Sequence, residues 1–355
     1  MSFIGDIALS RLQRLFHVEV GAGFPIDRVD QRRYDDLSWE GEVVTCDIDR
    51  TYLATRFSSL GGIARIPLEF GIDKVDIAGM AMLLKELRRG PDEAMSRFTP
   101  LYFVSASPAQ IRPVIERKML LDGLEYDGTT FKRWGAVALS GKLARFREQL
   151  GYKSTALLMA RLALPRGARD ILIGDDIESD PWAFCAYADL LSGALAGERA
   201  EARLSMLGVD REDIAHILRL RERLGVVVAP VKRVMIRLER GEPERLLALA
   251  PRVRACRGAM QMALSAFDDG DISRAGLLRV VADLHARGTH REELLELLND
   301  AITRALIAPQ RARDLQPFLA GEGFVPDGAT IATAPKPEWI AGAERDTWLP
   351  EPSGE

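Results

Sequence analysis

From residue 43 to about residue 193, short apolar runs alternate with stretches of helical spacing. The runs are "VVTC" at 43–46, "LYFV" at 101–104 and "DILI" at 170–173. Between and around them the spacing predicts helices near Val75 to Arg89, Pro108 to Leu120 and Lys153 to Leu164. Short apolar runs bounded by polar residues suit strands buried on both faces, and strands that alternate with helices imply a parallel sheet with crossover helices. The expected class is therefore α/β, a Rossmann-like three-layer parallel sheet.

Outside that stretch the texture changes. Residues 1–20 place Ile4, Ala8, Leu12, Leu15 and Phe16 on one helical face, which predicts an amphipathic helix docked on its own domain, with a membrane surface as the alternative. A polar stretch, "DRVDQRRYDDLSWEGE", leads to the first strand. Beyond residue 200 come long Leu-, Arg-, Glu- and Ala-rich segments such as "REDIAHILRLRERL" and "REELLELLNDAITRAL", with one strand-like run, "GVVVAPVKRVMIRL". The chain from residue 326 is rich in Pro, Gly and Ala and lacks periodicity, so it is expected to lie extended. The reading divides the chain into a helix and linker (1–40), the α/β domain (41–200), a mainly helical region (201–325) and a tail (326–355). The length of 355 residues suits about two domains at roughly 150 residues each.

Composition removes several classes of function. Lys+Arg number 48 against Asp+Glu 52, a net charge of -4, so no global attraction to nucleic acid follows, and the arginine-bearing stretches carry acids nearby. Cys46, Cys185 and Cys256 are odd in number and far apart, which favours neither a disulfide framework nor a thiolate metal site and fits a cytoplasmic setting. The four histidines have no metal-ligand spacing. No export signal is legible, and no apolar run approaches the roughly 18 residues of a membrane span, which leaves only peripheral membrane contact open.

Chemistry enters at the strand ends. "VVTC" ends in Asp47 and Asp49, "LYFV" in Ser105 and Ser107, and "ILIG" in Asp175 and Asp176, followed by Asp180. Ligands of open parallel sheets bind beyond the carboxyl ends of the strands, so these clusters are expected to share one crevice. Four carboxylates in a partly dry pocket repel one another unless a cation sits among them, and oxygen ligands of this type suit Mg²⁺. A carboxylate in that setting can attack phosphorus, and a second one two residues on can protonate the leaving oxygen and then activate water. The phosphoryl charge needs Ser105, backbone N–H groups and a lysine: Lys153 in "GYKSTALLMAR", read at a helix start, with Lys142 and Lys132 as competitors.

These residues resemble the haloacid dehalogenase superfamily of aspartate-nucleophile phosphotransferases: "DIDRT" its first motif, "LYFVS" its second, an isolated lysine its third and "IGDDIESD" its fourth. More narrowly, "FVSASP", "LGYKSTALL" and "ILIGDDIESDPWAF" are similar to the catalytic domain of actin-patch-type phosphatidate phosphatases and their bacterial relatives, over about residues 40–195. The resemblance implies Asp47 as nucleophile and Mg²⁺ ligand, and Asp49 as general acid and base whose carbonyl touches the metal. It also implies Ser105 and Lys153 on the phosphoryl group, and Asp175 in the metal shell with Asp176 or Asp180. The substrate implied is a phosphorylated small molecule or lipid, phosphatidate in the narrower form. Arg50 stands where the narrower family often has an acid, and Ala106 where it often has Gly. The gap after the first motif, "YLATRFSSLGGIARIPLEFG", has room for a flap but not for a full cap domain.

Some residues invite simpler readings. Ser107 is expected to cap the helix after Pro108, Glu178 to be a first-turn helix acid outside the site, and "FDDGDIS" at 267–273 to be a turn between helices. The alternative function is a non-catalytic scaffold that recognises a phosphorylated partner, against which the intact Asp47–Asp49 pair argues.

Overall fold

A computed structural model describes residues 17–18, 26–31, 40–54, 75–133 and 142–350. Residues 1–16 of the expected N-terminal helix and most of the flap stretch lie outside these residues. Eight strands form one sheet: β1 (His17–Val18), β2 (Ile26–Asp30), β3 (Glu42–Asp47), β4 (Leu101–Pro108), β5 (Gly128–Lys132), β6 (Arg169–Asp175), β7 (Val231–Arg237) and β8 (Val253–Cys256). Their order is β1-β2-β5-β4-β3-β6-β7-β8. Every neighbouring pair from β5 through β8 is parallel, and β1 and β2 add an antiparallel edge.

Ten α-helices lie among the described residues: α1 (Met80–Arg89), α2 (Arg112–Leu121), α3 (Lys142–Leu162), α4 (Asp180–Ser192), α5 (Gly197–Met206), α6 (Arg211–Leu224), α7 (Ala259–Asp268), α8 (Arg274–Ala286), α9 (Arg291–Thr303) and α10 (Pro309–Gly321). The period of two along each strand divides them into layers. Ile171 and Ile173 of β6 join Cys46, Phe103, Leu84 of α1, Ile115 of α2 and side chains of α7 to α10 in one apolar cluster. Leu172, between them, joins Val234, Ile236, Leu157 of α3, Phe184 of α4 and Ile217 of α6 in another. This is the expected three-layer α/β arrangement, with helices on both faces.

Three local readings are corrected. The polar stretch before the first strand holds β2, whose Arg28 is buried with its guanidinium 5.3 Å from the Tyr102 ring centre. The region read as mainly helical with one strand-like run holds a second strand, β8, in which Arg254 is buried and pairs with Asp269 at 2.9 Å. Helix α3 begins at Lys142, so Lys153 lies well inside it rather than at its start. Gly151 lies within this helix where Asp213 of α6 packs closely against it: a Cβ there would lie 3.1 Å from the Asp213 carboxyl carbon.

The strand-like run after residue 225 is β7, paired with β6, so the sheet continues beyond residue 200. "FDDGDIS" spans the turn between α7 and α8, where Ser273 accepts from the Gly276 N–H. Within the tail, Trp339, Trp348 and Leu349 are buried, and the N–H groups of Trp348 and Leu349 donate to Asp189 of α4 at 2.7 and 2.9 Å. No helix among the described residues is long and apolar enough to cross a membrane.

Candidate active site

Strand β3 is the topological switch point: β4 lies on one side of it and β6 on the other. Asp47 is its last residue, opposite Val104 of β4, so Ser105 follows one step beyond and Asp175 ends β6 at the same edge. The polar residues of three strands therefore leave the sheet together. After Asp47 the chain turns tightly, the N–H groups of Tyr52 and Leu53 donating to the Ile48 carbonyl at 3.1 and 2.9 Å. The turn returns Asp49 toward β4, where the hydroxyls of Ser105 and Ser107 both donate to its Oδ2, at 2.8 and 2.6 Å.

Lys153 is fully buried. Its Nζ lies 2.8 Å from Asp47 Oδ1 and 2.8 Å from Glu178 Oε2, and it also pairs with Asp180. Asp180 opens α4, and its Oδ2 accepts from the Asp175 N–H at 3.1 Å. That approach depends on Gly174, where a Cβ would lie 2.6 Å from the Asp180 Cβ and 2.7 Å from its carboxyl carbon. Asp175 Oδ1 accepts from the N–H groups of Ile177 and Glu178, at 2.6 and 3.0 Å, which folds the loop between β6 and α4 back over the strand end.

Around Lys153 and Asp175, then, stand the carboxylates of Asp47, Asp175, Glu178 and Asp180 with one ammonium. Burial pushes the Asp47 carboxyl well above its ordinary 3.8, against the pull of Lys153, and Asp180, Glu178 and Asp175 push it the same way. Asp175 is raised likewise by burial, Asp180 and Glu178. Burial by itself would lower Lys153, but the surrounding carboxylates, Asp180 first, hold it well above 10.5.

One ammonium does not balance four carboxylates, and the geometry leaves room for another cation. Asp47, Asp175 and Asp180 each offer an oxygen, all within 4.8 Å of one another. Asp47 Oδ1 has only the Lys153 ammonium beside it, and Asp47 Oδ2 and Asp175 Oδ2 are buried without a hydrogen-bond partner. Buried carboxylate oxygens left unpaired beside one another fit a small hard cation with oxygen ligands.

Of the residues singled out from the sequence, Asp47, Lys153, Asp175 and Asp180 come together, with Asp49 and Ser105 alongside. Asp176 does not join them: its carboxylate accepts from the N–H groups of Glu239 and Gly241, both at 2.7 Å, and so fastens the loop after β7. Lys132 lies against the Tyr152 ring, 5.8 Å from its centre. The side chain of Lys142 is outside those described. Glu178, read as a helix acid, is on Lys153 instead. Ser107, read as a helix cap, is on Asp49. The spacing inside "DDIESD" held the signal for Glu178, since a loop bent around Asp175 carries its second and third neighbours over the strand end.

No family model matches the chain, and no curated protein matches it. Among solved structures, a protein from Mesorhizobium loti described as a HAD-like phosphatase is 17% identical, with a TM-score of 0.33 over 59% of this chain and 98% of that one. At that distance the likeness does not bear on chemistry.

Proposed function

We propose that the protein is a Mg²⁺-dependent phosphomonoester hydrolase that works through an aspartyl-phosphate on Asp47. The observation that carries this reading is the buried Asp47 carboxylate, with Oδ1 on the Lys153 ammonium and Oδ2 without a partner, beside the acids at the end of β6. In the proposed organisation residues 41–200 supply this chemistry, while β7 and the helices beyond complete the sheet and its cover.

Mg²⁺ would be held by Asp47, Asp175 and Asp180, with the Asp49 carbonyl, and would neutralise the acids and polarise the phosphoryl oxygens. Asp47 forms a bond to phosphorus as the ester P–O bond breaks. Asp49, oriented by Ser105 and Ser107, gives a proton to the departing alkoxide and then takes one from the water that attacks the aspartyl-phosphate, which releases inorganic phosphate and returns Asp47. Lys153 and Ser105 hold the phosphoryl oxygens, Ser105 by turning its hydroxyl from Asp49. Asp180, rather than Asp176, is the second metal acid in this scheme, since it offers an oxygen within 4.8 Å of those of Asp47 and Asp175, whereas Asp176 is turned to the backbone N–H groups of Glu239 and Gly241.

With Mg²⁺ the protein is expected to release phosphate from phenyl phosphate, and to lose that activity with EDTA. No release from phenyl phosphate, glycerol phosphate or phosphatidate vesicles would remove the proposal. Phosphatidate itself is the substrate implied by the narrower motif resemblance, and the vesicles test it separately.

A second expectation concerns metal and pH. Asp47 and Asp175 have raised carboxyl pKa values in the folded chain, so in the absence of metal their contribution to stability is full below the ordinary 3.8 and is lost as pH rises above it. Metal binding needs both ionised and relieves that loss. The gain in melting temperature on adding Mg²⁺ is therefore expected to grow between pH 5 and pH 7, reaching the equivalent of about 2.7 kcal/mol at a hundredfold excess over Kd. A gain that is independent of pH, or unchanged in Asp175→Asn, contradicts the assigned ligands.

A further inference from the structure

Arg50 has an unusual place in the fold. It is not glycine, yet its backbone is left-handed with φ of 62°, a conformation that persists only when its surroundings hold it. Those surroundings are specific: the Arg50 N–H donates to the Leu53 carbonyl at 2.8 Å, and Arg237 Nη1 donates to the Arg50 carbonyl at 2.6 Å. The Arg50 guanidinium reaches Glu239 Oε1 at 2.8 Å, and Arg237 lies 3.7 Å from Glu239 Oε2.

Position gives this trio its meaning. Arg50 follows β3, Arg237 ends β7 and Glu239 lies in the loop just after it, while β6 runs between those strands and ends in Asp175. In the sheet register Arg237 is opposite Asp175. The trio therefore bridges the strand end that carries the acid cluster. All three side chains remain partly exposed, at 17–24%. Two guanidiniums share one carboxylate, and that carboxylate sits on a loop pinned by Asp176 through two backbone hydrogen bonds. Glu239 thus occupies, from within the chain, a place where two arginines at the rim of the site meet an oxyanion.

We infer that Arg50, with Arg237 behind it, reads a second anionic group on the leaving alcohol of the substrate, which displaces the Glu239 carboxylate. The inference rests on the phosphatase reading for the placement of the scissile phosphate. A guanidinium fork suits carboxylate and phosphate alike, so the recognised chemistry is a second oxyanion a few bonds from the ester. Phosphatidate, whose leaving diacylglycerol is uncharged, is then a poor substrate.

The test compares glycerol phosphate, phosphoglycerate, in which a carboxylate replaces the terminal hydroxymethyl, and glycerol 1,3-bisphosphate, in which the terminal hydroxyl carries a phosphate. The wild-type protein is expected to favour at least one of the two probes with a second anionic group over glycerol phosphate by about tenfold or more in kcat/KM. Which of the two is favoured separates carboxylate from phosphate. Arg50→Gln should bring that ratio close to one, Arg50→Lys should keep part of it, and Glu239→Gln should raise it. A loop merely destabilised by the substitution would lower turnover of all three esters and leave the ratio alone. Binding of the same probes to Asp47→Asn with Mg²⁺, followed by calorimetry, distinguishes the two failures. Turnover without any preference overturns this inference and leaves the phosphatase reading standing. Preferential binding that Arg50→Gln erases, with no turnover by the wild-type protein, does the reverse. A wild-type preference that Arg50→Gln leaves intact also overturns the inference.

Discussion

Asp47→Asn is expected to lower phosphomonoester turnover by about ten-thousand-fold or more, while raising the melting temperature of the metal-free protein. The first effect follows from losing the atom that would bond to phosphorus in the proposed mechanism: the other groups of such a site keep only a small residual rate. The second follows from charge. Asp47 is 1% exposed and faces Asp180, Glu178 and Asp175, so burial and like charge strain its ionised form against the pull of Lys153, and Asn removes that strain while Lys153 keeps Glu178 and Asp180 as partners. The gain should increase with pH, because the carboxylate it replaces is ionised to a greater extent there. Kinetics and thermal melting on one preparation check both: parallel losses of rate and stability would mark Asp47 as structural support.

Lys153→Met is the second large effect, of opposite sign in stability. The ammonium is fully buried and contacts Asp47, Glu178 and Asp180 at once, so its removal leaves three carboxylates without their counter-ion. Breaking a buried pair from one side costs about 3–5 kcal/mol, a large share of the roughly 5–15 kcal/mol that stabilises a folded chain. Denaturant unfolding should show that loss at pH 7 and a smaller one at pH 5, where protonation relieves the repulsion. Mg²⁺ should restore part of the stability but not the activity. Lys132→Met, at a lysine outside the cluster, should cost less than about 1 kcal/mol. Equal costs at the two positions would contradict the role given to Lys153.

Much of this was legible before the fold. Short apolar runs ending in acids or serines located β3, β4 and β6, because strands buried on both faces need such runs and a parallel sheet turns their carboxyl ends to one edge. The same rule brought Asp47, Ser105 and Asp175 together without any knowledge of distances. What was not legible involved long polar side chains with buried stems. Arg28 and Arg254 made β2 and β8 look like surface, although each packs its aliphatic part and finds a partner for its charge. The first turns of α3, from Lys142 to the residues around Gly151, also lay outside the helix that the spacing predicted.

The division of labour among neighbouring acids was also out of reach. Asp175 and Asp176 are adjacent, yet one faces the cluster and the other fastens the loop after β7, a consequence of side chains alternating across the end of a strand. Glu178 became a partner of Lys153 only because the loop folds over Asp175. Arg50 stood out as a departure in the motif, but its partners Arg237 and Glu239 lie about 190 residues further on, beyond the reach of local pattern.

The central claim, that Asp47 carries the phosphoryl group, is tested most directly by mapping the covalent intermediate. The protein with Mg²⁺ is mixed with radiolabelled acetyl phosphate, quenched in acid within milliseconds and digested, and the labelled peptide is sequenced. An acid-stable, alkali-labile label on Asp47 that is absent from Asp47→Asn is the expected result. No label, or a label on any other residue, would contradict it.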